Sequence, residues 1–272
     1  MLLSHSGYIH DTGTCEMLAA AGFEAIDMDD TIDADLFKGS FESACKQVKA
    51  WMAEAKSYGL AIHQCHAPMP GGTMGKTSEE IEAIICTIEQ CIRVANVLHI
   101  PYTVIHPFVY DYHIADPDGE NHMWELNISY LKRICKCATE TTLCLENMPR
   151  SFGFLTNSVE MARMMNEVGD ENLMVCFDTG HLFSQRELAS RFFAQVGDHI
   201  RVTHIHDTVP KEDMHLLIGT GRIDWADFKQ TIKDFGYCGN LNSESAFLRR
   251  LPDSLRLDGA ILERKILETL IP

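Results

Sequence analysis

Long apolar runs are missing from this chain: no stretch approaches the roughly 18 consecutive apolar residues of a membrane-spanning helix. The opening MLLSHSGYIHDTG also lacks the basic start and apolar stretch of a secretory leader. Together these absences make a cytoplasmic protein with no membrane partner the expectation. Basic charge is scarce too. Lys and Arg number 23 against 39 Asp and Glu, a formal net charge of −16. A binder of long nucleic acid needs a concentrated basic surface to displace counterions from phosphates. The composition therefore weighs against nucleic acid without closing that route, and it says nothing against a small neutral or phosphorylated molecule drawn to a bound cation. Cysteine is plentiful, at ten residues, but a paired framework is absent. Cys65, Cys144 and Cys176 fall inside expected buried strands, and the close pair Cys135 and Cys137 lacks the spacing of a zinc ribbon. Reduced thiols are the reading. No linker rich in Pro, Gly or Ser divides the chain, so residues 1–272 are expected to form one domain.

What the chain does have is a series of short apolar runs, each ending in a residue able to ligate a metal. They are AIHQCH ending at His66, YTVIH at His106, LCLE at Glu146, VCFD at Asp178, VTH at His204 and NLNSE at Glu244, at intervals of 40, 40, 32, 26 and 40 residues. Each interval has room for a loop, a helix and a further strand. Parallel strands deliver their C-terminal ends to one face, so this rhythm brings six polar strand ends together. MLLSHSG and FEAIDMDD precede these runs as two more strands. Helices are expected from Phe41 to Tyr58 with Gly59 as a stop, from Thr77 or Ser78, from Trp124 to Thr139, from Ser158 to Val168 and from Leu255 to Leu270. Eight strands and roughly eight helices predict a single α/β (β/α)8 TIM barrel, with a doubly wound open sheet as the alternative.

Glu146, Asp178, His204 and Glu244 form a mixed oxygen and nitrogen donor set. Charges that follow buried apolar strands need a partner or a metal, and this set suits a hard to borderline divalent ion: Zn²⁺ or Mn²⁺ first, with Co²⁺ also compatible. His181 follows Asp178 closely and either binds the metal, binds substrate or orients Asp178. Of His204 and His206, which share a side by alternation, His204 is the expected ligand, because the chain leaves the strand there. Asp207 is expected as a supporting acceptor. Asp213 and His215 precede Gly219-Thr220-Gly221, a pair of glycines that either approaches an anion through backbone amides or makes a plain turn. His66 and His106 are either additional metal ligands or hydrogen-bond donors to a sugar. His5, His10, His99, His113, His122 and His199 are assigned to surface or packing roles.

The ordered set HAPM, IHPF, LENMP, FDTGH, THIHD, HLLIGTGRIDW and SES resembles the xylose isomerase-like superfamily of TIM barrels, which includes sugar and sugar-phosphate isomerases and epimerases and the endonuclease IV branch. The resemblance covers nearly the whole chain. It implies one divalent metal on Glu146, Asp178, His204 and Glu244, the two glutamates as the acid/base pair, and His181 near substrate oxygens; His66, His106 and His215 join it as candidate substrate contacts. It departs from the ketose 3-epimerase branch at Phe152, where those members usually carry another glutamate. The endonuclease IV branch resembles the chain further, at His66, His106, His181, Asp213 and His215, and implies a multi-zinc phosphodiesterase acting at abasic sites in DNA. Against that stand the acidic loop Asp111 to Glu120 and the want of an insertion rich in Arg, Lys and aromatics. Metal-dependent isomerisation or epimerisation of a small sugar or sugar phosphate is thus the leading expectation, the phosphodiesterase the alternative, and a carbohydrate-binding barrel without turnover a third. A homodimer is also expected, since barrels of this kind often pair.

Overall fold

A computed structural model describes residues 1–73, 75–109 and 119–272; His113 and the acidic segment 111–118 lie outside those described residues. Eight strands run β1 (Leu2–Gly7), β2 (Ala25–Met28), β3 (Ala61–His66), β4 (Tyr102–Ile105), β5 (Thr142–Glu146), β6 (Leu173–Asp178), β7 (Ile200–His204) and β8 (Asn240–Ser243). All pair in parallel and in chain order, and β8 returns to pair with β1. The last seam, β7 to β8, is bridged at Ile205 and Ser243. There the Ile205 N–H donates to Asn242 O at 2.7 Å and the Glu244 N–H donates to Ile205 O at 3.1 Å. Deeper in the same seam side chains replace the ladder: Thr203 Oγ1 donates to Asn240 O at 2.9 Å, and the Thr203 N–H donates to Asn240 Oδ1 at 3.2 Å. Sequential order with β8 beside β1 is a barrel and excludes the doubly wound open sheet.

The helices are α1 (Thr14–Ala21), α2 (Phe41–Ser57), α3 (Ser78–Leu98), α4 (Gly119–Cys135), α5 (Ser158–Val168), α6 (Thr179–Ser184), α7 (Ala189–Val196), α8 (Trp225–Asp234) and α9 (Asp253–Leu270). None among the described residues is long and apolar enough to cross a membrane. α3 starts where a reciprocal capping box forms, the Glu80 N–H donating to Thr77 Oγ1 and the Thr77 N–H to the Glu80 carboxylate. α4 ends earlier than the expected Thr139. Asn96 Oδ1 accepts from the N–H groups of Thr139, Glu140 and Thr141 at 3.0, 3.0 and 3.1 Å, holding that segment as a loop. The β6–β7 crossover carries two helices rather than one: α6 starts directly at the strand end, capped by Asp178, and stops before Arg186, whose φ of 62° is left-handed.

Alternation along each strand sets what fills the barrel. Val104, Cys144, Cys176 and Val202 form a buried apolar cluster, and each stands two residues before His106, Glu146, Asp178 or His204 on the same side of its strand. The opposite half of the interior is polar. Asn240 Nδ2 donates to Gln64 Oε1 at 2.8 Å, Gln64 Nε2 donates to Asp27 Oδ2 at 2.8 Å, and Asn242 Nδ2 donates to Ser6 Oγ at 2.7 Å. One wall of the barrel is therefore greasy and the other is a hydrogen-bonded web converging on Asp27.

Where β1 and β8 meet α9, a buried ion pair ties barrel to helix. His5 Nε2 lies 3.3 Å from Glu263 Oε2, and Glu263 also accepts from the hydroxyls of Ser243 and Ser245. Burial alone would lower the His5 pKa, yet Glu263 raises it above 6.5; burial opposes ionisation of Glu263, yet His5 and the two serines hold its carboxyl below 4.5. The His5 contribution to stability is complete below pH 6.5 and fades as pH rises through its raised value. The Glu263 contribution is complete above pH 4.5 and fades as pH falls through its depressed value. Glu263→Gln should therefore lower stability by about 3 kcal/mol, with the largest gap from wild type between pH 4.5 and 6.5, read by thermal melts across pH 3–9.

Candidate metal centre

The strand ends supply the site in order. β3 ends at His66, His106 follows β4, β5 and β6 end at Glu146 and Asp178, β7 ends at His204, and Glu244 follows β8. Glu146, Asp178, His204 and Glu244 offer donor atoms that all lie within 4.8 Å of one another. His204 is central: its Nδ1 lies 3.1 Å from Glu146 Oε1 and 3.5 Å from Glu244 Oε2. Two further sets share His204 with it, Asp27 with His66 and Glu146 with Cys176, and two more flank it. His66, His106 and Glu146 form the first, with His106 Nε2 2.8 Å from Glu146 Oε2. His181, His206, Asp213 and His215 form the second, with His181 Nε2 3.3 Å from Asp213 Oδ2 and His215 Nε2 3.4 Å from Asp213 Oδ1. Every residue singled out from the sequence as a ligand or substrate contact thus belongs to one of three adjoining groups, with Glu146 common to two of them.

The electrostatics separate the two glutamates. Burial opposes ionisation of Glu146, but the imidazoles of His204, His106 and His181 override it and hold the carboxyl well below the usual range. Glu244 is instead pushed up, because desolvation outweighs the help of His204 and His215. Asp178 stays low beside His181 and His206 despite its burial. Burial likewise works against charge on the histidines. Carboxylates nevertheless raise His66 and His181 and bring His215 to about 9, Cys176 followed by Glu244 and Glu146 raises His204, and His106 is lowered.

Several donors have no hydrogen-bond partner although they are buried: Glu146 Oε2, Glu244 Oε2, His66 Nδ1, His106 Nδ1 and Asp27 Oδ1. Buried polar atoms are normally satisfied; these lie close together at and just beneath the strand ends, Glu146 Oε2 only 2.8 Å from His106 Nε2, so their lone pairs are grouped where one cation could take several at once. Nitrogen and carboxylate oxygen are the donors a borderline divalent cation takes, and the residues fit such an ion.

Two residues of the site were missed by reading the sequence. Asp27, fully buried, has Oδ2 3.3 Å from His204 Nε2 and Oδ1 3.5 Å from His66 Nδ1. Those two imidazoles hold its carboxyl far below the usual range against burial. Its signal was present, an acid inside an apolar strand rather than at its end. His206 also faces the site, contrary to the expectation that His204 alone need do so: its Nε2 lies 3.0 Å from Asp178 Oδ2 and its ring stacks on His215 with centroids 4.0 Å apart. The strand turns after His204 without rotating His206 away, because Thr179 Oγ1 donates to His206 O at 2.8 Å.

The glycine pair resolves into a turn around an internal anion. Asp207 accepts from the Gly219, Arg222 and Ile223 N–H groups at 2.9, 3.0 and 3.2 Å and from Trp225 Nε1 at 2.9 Å. A Cβ at Gly221 would lie 2.2 Å from Asp207 Oδ1. Asp207 is thus an acceptor, as expected, but for the loop rather than for a metal ligand. Of the histidines assigned to surface or packing, His5 packs against Glu263, and His10, His99, His122 and His199 are exposed.

The family described as Xylose isomerase-like TIM barrel matches residues 15–255. An uncharacterized protein of Methanocaldococcus jannaschii, MJ1311, is 26% identical over 247 residues, 88% of this chain and 80% of that one. A D-psicose 3-epimerase of Enterocloster bolteae is 28% identical over 112 residues, 40% of this chain and 36% of that one. In fold, the D-psicose 3-epimerase of Clostridium cellulolyticum H10 crystallised with D-tagatose superposes with a TM-score of 0.79 over 100% of this chain and 99% of that one, at 15% identity.

Gly180, in the first turn of α6, leaves room for the His206 ring: an added Cβ would lie 2.0 Å from His206 Cε1. Gly180→Ala should push the imidazole off Asp178 and His215 and lower stability by about 1–3 kcal/mol. Thermal unfolding of the purified variant checks this; an unshifted melting temperature would contradict the packing of His206.

Proposed function

This chain belongs to the xylose isomerase-like TIM-barrel family, and from that membership we propose that it is a divalent-metal-dependent isomerase or epimerase of a small carbohydrate. The observation that carries the reading is the four-residue donor set on consecutive strand ends, Glu146, Asp178, His204 and Glu244, with its buried unsatisfied oxygens. These four residues would hold the ion. When bound, it supplies a Lewis acid that polarises a sugar carbonyl and acidifies the neighbouring C–H.

The rest falls to the chain's own groups. Of Glu146 and Glu244, one carboxylate takes the proton from the acidified C–H and the other returns a proton to the opposite face or to the neighbouring carbon. His181 keeps its ring fixed by a hydrogen bond between Nδ1 and Asn147 O at 2.9 Å, and its Nε2, beside Asp213 Oδ2 at 3.3 Å, lies where a substrate oxygen would compete with that carboxylate. His66, His106 and His215 supply the remaining polar rim. A reducing, cytoplasmic setting fits the ten free cysteines. Phe152 stands where ketose 3-epimerases carry a further glutamate, so the D-psicose 3-epimerase relatives support the reaction class and leave the sugar open.

One observation favours a second reading. The flanking sets, His66 with His106 and Glu146, and His181 with His206, Asp213 and His215, have the donor types for two more ions. A cluster of two or three ions about 4 Å apart suits phosphodiester hydrolysis. Elemental analysis of protein purified without chelator separates the two. About one Mn, Co or Zn per chain is expected for the sugar enzyme; two to three zinc ions would replace that reading with the phosphodiesterase, tried first on abasic-site DNA. Across a panel of ketoses and aldoses, Glu146→Gln and Glu244→Gln should each cut turnover by at least about 10²-fold. Wild-type rates in both variants would remove the pair from the mechanism.

A further inference from the structure

A cavity of about 960 Å³ opens over the metal centre. Its inner end is lined by His66, Glu244, Asp213 and His215, and its outer wall carries three cations drawn from eight residues of sequence: Arg249, Arg250 and Arg256. In a chain with a net charge of −16 and only 23 basic residues, three arginines within eight positions are a local concentration of positive charge. A neutral sugar needs no such wall.

The charges on this wall are little neutralised. Arg249 forms no hydrogen bond or ion pair among the described residues, while its charge acts on the nearby Tyr8 hydroxyl. Arg250 Nη2 donates to Met214 O at 2.9 Å, a neutral partner that leaves the guanidinium charge uncompensated. Arg256 pairs with Asp253 at 3.1 Å, one turn away on an exposed helix start, a bond worth little in water. The cavity's other acids lie elsewhere: Asp213 and Glu244 belong to the metal centre, Asp29 faces His66 at 3.3 Å, and Asp11 faces His10 at 3.6 Å. The base of the wall is fixed. Leu248 is buried, and Leu251 packs so closely on α9 that a Cβ at Gly259 would lie 2.4 Å from its Cδ1.

We propose that the substrate is an anionic carbohydrate whose phosphate or carboxylate group sits against Arg249, Arg250 and Arg256 while its carbonyl end reaches the metal centre. The inference rests on the carbohydrate reading above and adds the charge of the substrate. A guanidinium fork matches the planar pair of oxygens that both anions present. Arg250 does more than attract: it is tied to Met214, between Asp213 and His215, so an anion drawn to it also steadies the loop that carries two groups of the site.

The test uses the Mn²⁺-loaded protein, calorimetric binding and turnover, and three arms: D-fructose, D-fructose 6-phosphate and D-glucuronate. An anionic arm should bind at least about tenfold more tightly than D-fructose, and Arg249→Ala should reduce that ratio about tenfold through Kd or KM rather than kcat. Arg249→Lys should restore part of it. Whichever anionic arm leads identifies phosphate or carboxylate. Tight anionic binding lost in Arg249→Ala, without turnover of any sugar, would uphold the anion wall and overturn the isomerase reading. Equal binding of all three arms, or a ratio unmoved in Arg249→Ala, would overturn the inference and leave the isomerase reading standing.

Discussion

The structure depends on one constraint: ionisable groups carried to a shared mouth by parallel strands must neutralise one another there. Water is largely excluded, so a carboxylate without a cation, or an imidazolium without an anion, would cost several kcal/mol. The chain answers by interleaving them. Glu146 sits among His106, His181 and His204, Asp178 between His181 and His206, and Asp27 between His66 and His204. Interleaving is incomplete, since several buried oxygens and ring nitrogens of the site, among them Glu244 Oε2 and His106 Nδ1, have no hydrogen-bond partner. The same incompleteness that would be a fault in an ordinary core is what equips the site to take a cation.

The barrel interior prepares this arrangement from below. On the β4–β7 side the residues beneath the site are Val104, Cys144, Cys176 and Val202, a buried apolar cluster in which only the Cys176 thiol comes close to Glu146 and His204. On the β8–β3 side Asn240, Asn242, Gln64 and Ser6 join Asp27 in a web that fixes its carboxylate beneath two imidazoles. Asp27 thereby orients the histidines that face the mouth, the office a carboxylate performs for metal-bound imidazole elsewhere.

Much of this was legible in the sequence because it is written with period two. An apolar run closing on His106, Glu146, Asp178 or His204 declares both a strand and its inward face, and six such runs with two further strands in chain order leave the barrel as the natural closure. What escaped obeys longer-range rules. Asp27 is inward-facing by parity, but its weight comes from His66 and His204, 39 and 177 residues away. His206 lies past its strand, and Thr179 reaching across from α6, together with Asp178 and the stacked His215 ring, keeps it turned to the site. The glycines after His215 bind an anion, as their pattern hinted, but it is Asp207 of the same chain. The end of α4 moved because Asn96 claims amides that a longer helix would have used.

The seam between β7 and β8 gives the barrel a joint. The other seams are held by backbone ladders, with a register shift in β2–β3 and in β6–β7; here a threonine hydroxyl and an asparagine amide stand in for part of the ladder, and only the uppermost rungs are main chain. Local opening follows the least cooperative contacts, so hydrogen exchange should enter the wall at this joint before any other. Glu244 rides on one lip of it and His204 on the other. The breathing of the barrel is thus concentrated where two of the candidate ligands face each other, and clamping of these two lips by a cation would close the ring as well as fill the site.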